Sequence, residues 1–322
     1  MSRRLWTAGA VAAAVIGLGV SGAPKGAGAQ EVSKITIAMS GWTGFAPITL
    51  AKETGIFKKN GIEVEIKKMP APNRHQAMAA GEVHAIATTV DTHVLYASSG
   101  VDVTQVLVLD SSHGGDGIAA RPPIAKVADL KGKQVAVQYG GVPQFWLAYV
   151  LKKNGLSIND VQTSNLQPSD AANAFVAGQF DAAVTYEPYL SKVREAKANV
   201  IVTSDQTPGV IIDTLAFQPD FIKKNPKTVA AVVKSWFEAL DAIKADQQKT
   251  FEIMGKDVNQ TPEQFAASAK NILWYDKAQN QEYMTRTLPA FTKEVQDVML
   301  EAKLIRKAPP SLEAMANAEF VK

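Results

Sequence analysis

Short β-branched apolar runs alternate along this chain with longer stretches in which apolar residues recur every three or four positions. A period of two belongs to a pleated strand and a period near 3.6 to a helix. Lys34–Met39, Ile62–Lys67, Ala85–Thr89 and Val103–Leu109 are predicted strands. Pro47–Lys59, residues 72–80 and the stretch after Asp91 are predicted helices, with Asn60-Gly61 as a stop signal and Asp91 as a cap. Asp110–Gly117 is a glycine-rich break. Beyond it come strands at 134–138, 161–166, 181–185 and 200–203, and helices at 143–153, 169–177 and 187–197. Residues 207–217 return as a strand. From Pro219 the pattern is helical, with Val229–Ile243 strongly amphipathic and Thr261-Pro262-Glu263 opening a further helix. No strand is predicted in this tail. Strands alternating with helices predict an α/β fold with parallel sheets.

The second half of that pattern repeats the first. Residues 35–65 and 135–161 each run from an apolar strand through a glycine-containing turn and a helix to Lys-Lys-Asn-Gly, and the two Asn-Gly pairs lie 94 positions apart. AMAAGEVHAIATT (77–89) and AFVAGQFDAAVTY (174–186) repeat with Gly81 and Gly178 separated by 97. Two similar half-units predict two lobes, with a cleft between them. The helical tail is expected to wrap the first lobe, making it discontinuous: 31–113 plus 215–322 for lobe one, 114–214 for lobe two. The crossings, near 113–119 and 211–216, form the expected hinge.

The first 29 residues read differently. Arg3 and Arg4, a small apolar run at 7–20 and Ala27-Gly28-Ala29 have the build of a secretory signal peptide. That segment holds three of the 34 basic residues and no acid, so its removal leaves 31 basic against 31 acidic residues. A neutral chain carries no basic footprint for nucleic acid and is not steered to an anionic membrane. There is no cysteine, hence no disulfide, thiolate metal site or thiol nucleophile. His75, His84, His93 and His113 lack metal-site spacing, and neither a GxSxG elbow nor a phosphate-binding glycine motif is present. No metal, cofactor or catalytic residue is expected.

Ligands of open α/β sheets lie outside the carboxyl ends of the strands. Applied to the strands at 34–39, 85–89, 103–109, 134–138 and 181–185, the rule selects Trp42, Thr43 and Gly44, then Thr89 and Asp91, then Asp116 in the break, then Gly140, Gly141 and Gln144, then Tyr186 and Glu187; Asp213 lies on the return crossing. Gly140-Gly141 offers backbone N–H groups to an oxyanion, or simply a flexible turn. Trp42 is a ligand wall or a core residue. Asp91, Asp110, Asp116, Glu187 and Asp213 form an acidic set, although Asp91 and Glu187 are equally explained as helix caps. If acids face the cleft, the ligand carries an ammonium, an amidinium or N–H donors. No Arg or Lys falls on these loops, which argues against a strong anion.

The phrases GWTGFAPITLAKETGIFKKNGIEVEI, VADLKGKQVAVQYGGVPQFWLAYVLKKNGL, AGQFDAAVTYEPYL and TPGVIID resemble the periplasmic substrate-binding proteins of the nitrate/sulfonate/taurine type, within the pyrimidine-synthase-like superfamily. The resemblance covers about residues 34–240. It implies a type II periplasmic binding protein: two Rossmann-like lobes, a two-crossing hinge, and capture of a small solute for an ABC permease and its ATPase. It also implies a monomer in the periplasm and no enzymatic activity. The family's ligand loops fall on Trp42-Thr43-Gly44, Thr89-Val90-Asp91, Gly140-Gly141 with Gln144, and Tyr186-Glu187-Pro188. A taurine- or alkanesulfonate-like zwitterion, or a cationic or neutral nitrogen compound such as an amidine or pyrimidine, suits those loops. The alternatives are a pyrimidine-precursor-synthesising enzyme of the same fold, whose cysteine-rich metal motif has no counterpart here, and a ligand-binding sensor module.

Overall fold

The computed structural model describes residues 33–322; the leader read from residues 1–29 lies outside them. Strand β1 (Ser33–Met39) pairs in parallel with β2 (Ile62–Lys68) and β3 (Ala85–Thr89). Helices α1 (Ala46–Glu53), α2 (Ile56–Lys59) and α3 (Ala71–Ala79) link these strands, and α4 (Val90–Ser98) leads to β4 (Thr104–Ser112). The chain then crosses to a second sheet of β5 (Asp116–Ala120), β6 (Gln134–Val137), β7 (Gln162–Asn165), β8 (Ala182–Tyr186) and β9 (Asn199–Thr203), with α5 (Val142–Lys153), α6 (Pro168–Val176) and α7 (Tyr189–Glu195). It returns as β10 (Ile212–Phe217). The tail is α8 (Pro219–Lys224), α9 (Pro226–Ala245), α10 (Gln247–Asp257), α11 (Pro262–Ala269), β11 (Ile272–Trp274), α12 (Lys277–Glu282) and α13 (Leu288–Glu301).

The sheet orders are β11-β4-β10-β3-β1-β2 and β7-β6-β8-β5-β9. Each sheet thus carries the motif second–first–third strand in parallel, and then one reversed strand. The sequence repeat has this common frame as its cause. Its glycines occupy equivalent left-handed positions: Gly61 and Gly155 have φ of 77° and 74°, and Gly81 and Gly178 have φ of 76° and 86°.

The expectation of purely parallel sheets is corrected. β10 is antiparallel to β3 and β4, and β5 is antiparallel to β8 and β9. β1, β3, β6 and β8 run toward the cleft, whereas a chain arriving from the other lobe starts at the cleft and runs away from it. The presumed break at 110–117 is therefore mostly strand. Two further departures are local. Gly55, at φ 77°, splits the helix expected over 47–59, and the tail does contain a strand, since β11 pairs antiparallel with β4.

Lobe one closes its core between the first sheet and the tail. Helix α9 buries Val229, Val232, Val233, Trp236, Ala239, Leu240 and Ile243, a spacing that keeps one stripe against the sheet. Lobe two packs Trp146, Leu147, Val150 and Leu151 of α5 on its own sheet. The crossings are residues 113–115 and 204–211. Ser204 joins them: its hydroxyl lies 2.7 Å from that of Ser112 and accepts from the Gly114 N–H at 2.8 Å. No helix among the described residues is long and apolar enough to cross a membrane.

Candidate functional site

Strand pairing assembles the acids. Asp213 on β10 lies opposite Thr89 on β3 and Asp110 on β4, so the amino end of β10 meets the carboxyl ends of β3 and β4 side by side. Asp116 opens β5 opposite Tyr186 at the end of β8. Between the lobes lies a narrow pocket with a cavity volume of about 30 Å³. Asp213, Thr88, Thr89, Arg74 and Trp42 line it from lobe one; Asp116, Tyr186, Gln138 and Val142 line it from lobe two. A second recess of about 170 Å³ shares Ser40, Ala71, Arg74, Gln138 and Tyr186 with it and continues it past Tyr189.

Burial dominates the electrostatics. It pushes the carboxyls of Asp91, Asp110 and Asp116 up to about 7, each only partly held back by hydrogen bonds from neighbours. Asp213 is held well above the carboxylate range by burial and then by the adjacent Asp110. Two carboxyls at neighbouring strand positions do not both ionise readily in a dry site, so the Asp110 charge adds to burial in holding the Asp213 proton. Asp110 accepts from the Trp42 indole N–H at 3.0 Å. Its other oxygen, and one oxygen of Asp91, are buried without a partner.

Trp42 sits at the junction of the lobes. Its ring packs edge-on against Tyr186 with centroids 5.7 Å apart, and it fills the space that a side chain at Gly115 in the hinge would take. Gly44 does not line the pocket. A side chain there would strike Asp110 and Trp42, so glycine keeps that hydrogen bond against the backbone. Thr43 is wholly buried beside it. Thr89 lines the pocket and its hydroxyl lies 2.9 Å from that of Thr92, which donates to Asp91 at 3.2 Å; Asp91 lies behind the lining in the first turn of α4.

Four sequence-selected positions make other contacts. Glu187 is fully buried but faces Arg194, whose guanidinium donates to it at 2.6 Å; it also accepts from the Ser191 N–H at 3.1 Å, capping α7. Gly140 and Gly141 are covered by the opposite lobe: a Cβ on Gly141 would stand 3.2 Å from the Ala71 Cβ, and the Tyr96 hydroxyl reaches the Gly140 carbonyl at 3.5 Å. Gln144 accepts from the Gly140 N–H at 3.0 Å and braces the turn. The glycines let two helices approach the turn closely, as the Lys152–Glu301 ion pair also draws α5 toward α13.

The absence of a basic residue from the cleft is corrected by Arg74. It lies in the first turns of α3, 5% exposed, and lines both recesses. One Nη donates to the Ala87 carbonyl at 2.5 Å; its Nε has no partner. The signal was available. The carboxyl-end rule, extended to the loop after β2, leads directly to residues 69–74. Ser40 and Gln138, each one residue past the end of its strand, line both recesses as well. Behind Arg74, burial keeps His75 and His93 neutral, with His93 brought down to about 3.

Two α/β lobes that close on a buried polar pocket across a two-crossing hinge define a periplasmic-binding-protein fold. The chain belongs to the NMT1/THI5-like family, whose model matches residues 42–250. It is 29% identical over 235 residues to a candidate aliphatic sulfonates-binding protein of Escherichia coli (strain K12), covering 71% of this chain and 73% of that one. It is 24% identical to the taurine-binding periplasmic protein of the same strain, covering 66% and 67%. The alkanesulfonate-binding protein from Xanthomonas axonopodis pv. citri, solved bound to MOPS, superimposes with a TM-score of 0.77 at 19% identity, over 90% of this chain and 100% of that one. The same fold also occurs in the desulfurization enzyme DSZB, with a TM-score of 0.64 at 14% identity, over 89% and 97%. These relatives are of the type that the sequence phrases resemble.

Proposed function

We propose that this protein is the periplasmic solute receptor of an ABC importer and captures a small organic solute bearing a cationic nitrogen. The observation that carries this reading is the pair Asp116 and Asp213, which line one pocket from opposite lobes, each 3% exposed. An ammonium or amidinium between them bonds both jaws at once and so favours the closed state over the open one. Trp42, Phe45 and Tyr186 supply apolar wall for the solute's carbon frame. The names of the relatives support a binding role rather than turnover, and a receptor needs only stoichiometric capture. Export to the periplasm and delivery to a permease with its ATPase follow from the same reading.

A thermal-shift screen of residues 30–322 against amines, amidines, pyrimidines, sulfonates and oxyanions tests it. A binder present at 100 times its Kd stabilises the fold by about 2.7 kcal/mol. Cationic or zwitterionic nitrogen compounds should shift the transition and be recovered chemically unchanged. A shift with nitrate or bicarbonate alone contradicts the assignment, and consumption of the compound points to the enzyme reading.

A further inference from the structure

Arg74 carries an inference that rests on the solute reading above and deepens it. Arg74 is buried within reach of the Asp213 charge, yet it makes no ion pair within 4.0 Å among the described residues. Asp213 and Tyr186 act on it only through space, while burial lowers its hold on its proton. A buried arginine ordinarily pairs its fork with a carboxylate. Here one Nη is spent on the Ala87 carbonyl, Nε is buried without a partner, and the residue lines both recesses. Leaving a charged donor buried and unpaired is costly, and a ligand oxygen would remove that cost.

We propose that Arg74 recognises an anionic group of the solute, so that the pocket reads a bipolar molecule: its carboxylate or sulfonate at Arg74 and its cationic nitrogen at Asp116 and Asp213. The two halves are mutually dependent. An anion alone would face the carboxyl cluster, and a cation alone would leave the arginine unpaired. Arg74 is thereby a specificity-determining residue, distinct from a fixed counter-charge to the acids. A counter-charge would act on stability and on all ligands alike.

Calorimetry on matched probes separates these roles. Taurine and 4-guanidinobutyrate carry both charges; propylamine and butylguanidine carry only the cation, and propanesulfonate only the anion. The wild-type chain should bind at least one bipolar probe at least tenfold more tightly than its cation-only partner. Arg74→Gln should bring that ratio near one with the bipolar probe weakened; Arg74→Lys, which retains charge without the fork, should leave an intermediate ratio. An unchanged ratio in Arg74→Gln overturns the role of Arg74 and leaves the cation reading standing. So does equal wild-type affinity for bipolar and cation-only probes. Binding of propanesulfonate alone overturns the cation reading instead. Failure of all five probes on the folded wild-type chain overturns both. Should Arg74→Gln not fold, Arg74→Lys decides by the same ratio.

Discussion

Replacing Asp116 by Asn removes a charge that weakens the free protein and serves the loaded one. Burial raises this carboxyl from 3.8 to about 7, and Asp110, Asp91 and Glu187 add repulsion that the Ser112 hydroxyl only partly offsets. The native state therefore holds the proton to a higher pH than the unfolded chain does. Stability contributed in this way is complete below about pH 4, falls as pH rises from about 4 to about 7, and is lost above. The difference between 3.8 and about 7 corresponds to about 4 kcal/mol once both states are ionised. Asn escapes that cost but must still place a buried amide, so a net gain of about 1–3 kcal/mol is expected at pH 8. For a chain of this size that raises Tm by about 2–10 °C. Binding moves the other way. Loss of one charge-assisted hydrogen bond to a cationic nitrogen weakens affinity by about 1.5–3 kcal/mol, roughly tenfold to 150-fold. Scanning calorimetry at pH 5 and pH 8, with titration calorimetry on the best cation from the screen, reads both. Reduced stability at pH 8 together with unchanged affinity would refute the buried-carboxyl reasoning.

Three further outcomes follow. Glu187→Gln should lower stability by about 1–3 kcal/mol through loss of the Arg194 pair while leaving solute affinity within about twofold; a collapse of affinity at unchanged Tm would return Glu187 to the cleft. Because the pocket-lining Asp116 ionises near 7, affinity for a cationic probe should strengthen from pH 5 to pH 7, by up to about tenfold per pH unit; the opposite slope contradicts carboxylate recognition. Gly141→Val should hold the jaws apart, since even a Cβ there stands 3.2 Å from Ala71. Small-angle scattering should then show a larger radius of gyration and titration a weaker ligand; an unchanged radius contradicts the closure contact.

The frame of this fold is written in local sequence. The repeated strand–helix–Asn-Gly phrase encodes a local unit, and the glycines at 61 and 155 sit at the same helix-ending, left-handed turn in both copies. The reversed strands were less legible. Direction is set by where the chain enters a sheet, which depends on the hinge and not on the residues of β5 or β10. Asp116 and Asp213, selected from the strand ends and the return crossing, both line the pocket because the rule about strand ends is topological and survives an error in strand direction. Arg74 was overlooked because it stands inside a helix, and it reaches the cleft only because α3 packs its first turns at the carboxyl end of the sheet. Glu187 illustrates the converse. Its position suited a ligand as well as a cap, and only the placement of Arg194, seven residues on, decides between them.

The most direct test is a structure of the protein with a solute identified by the screen. The cationic nitrogen should lie within about 3.2 Å of carboxyl oxygens from both Asp116 and Asp213, with the lobes closed around it. A solute held outside the cleft, or with its nitrogen turned away from both carboxyls, would contradict capture between the two acid-bearing jaws.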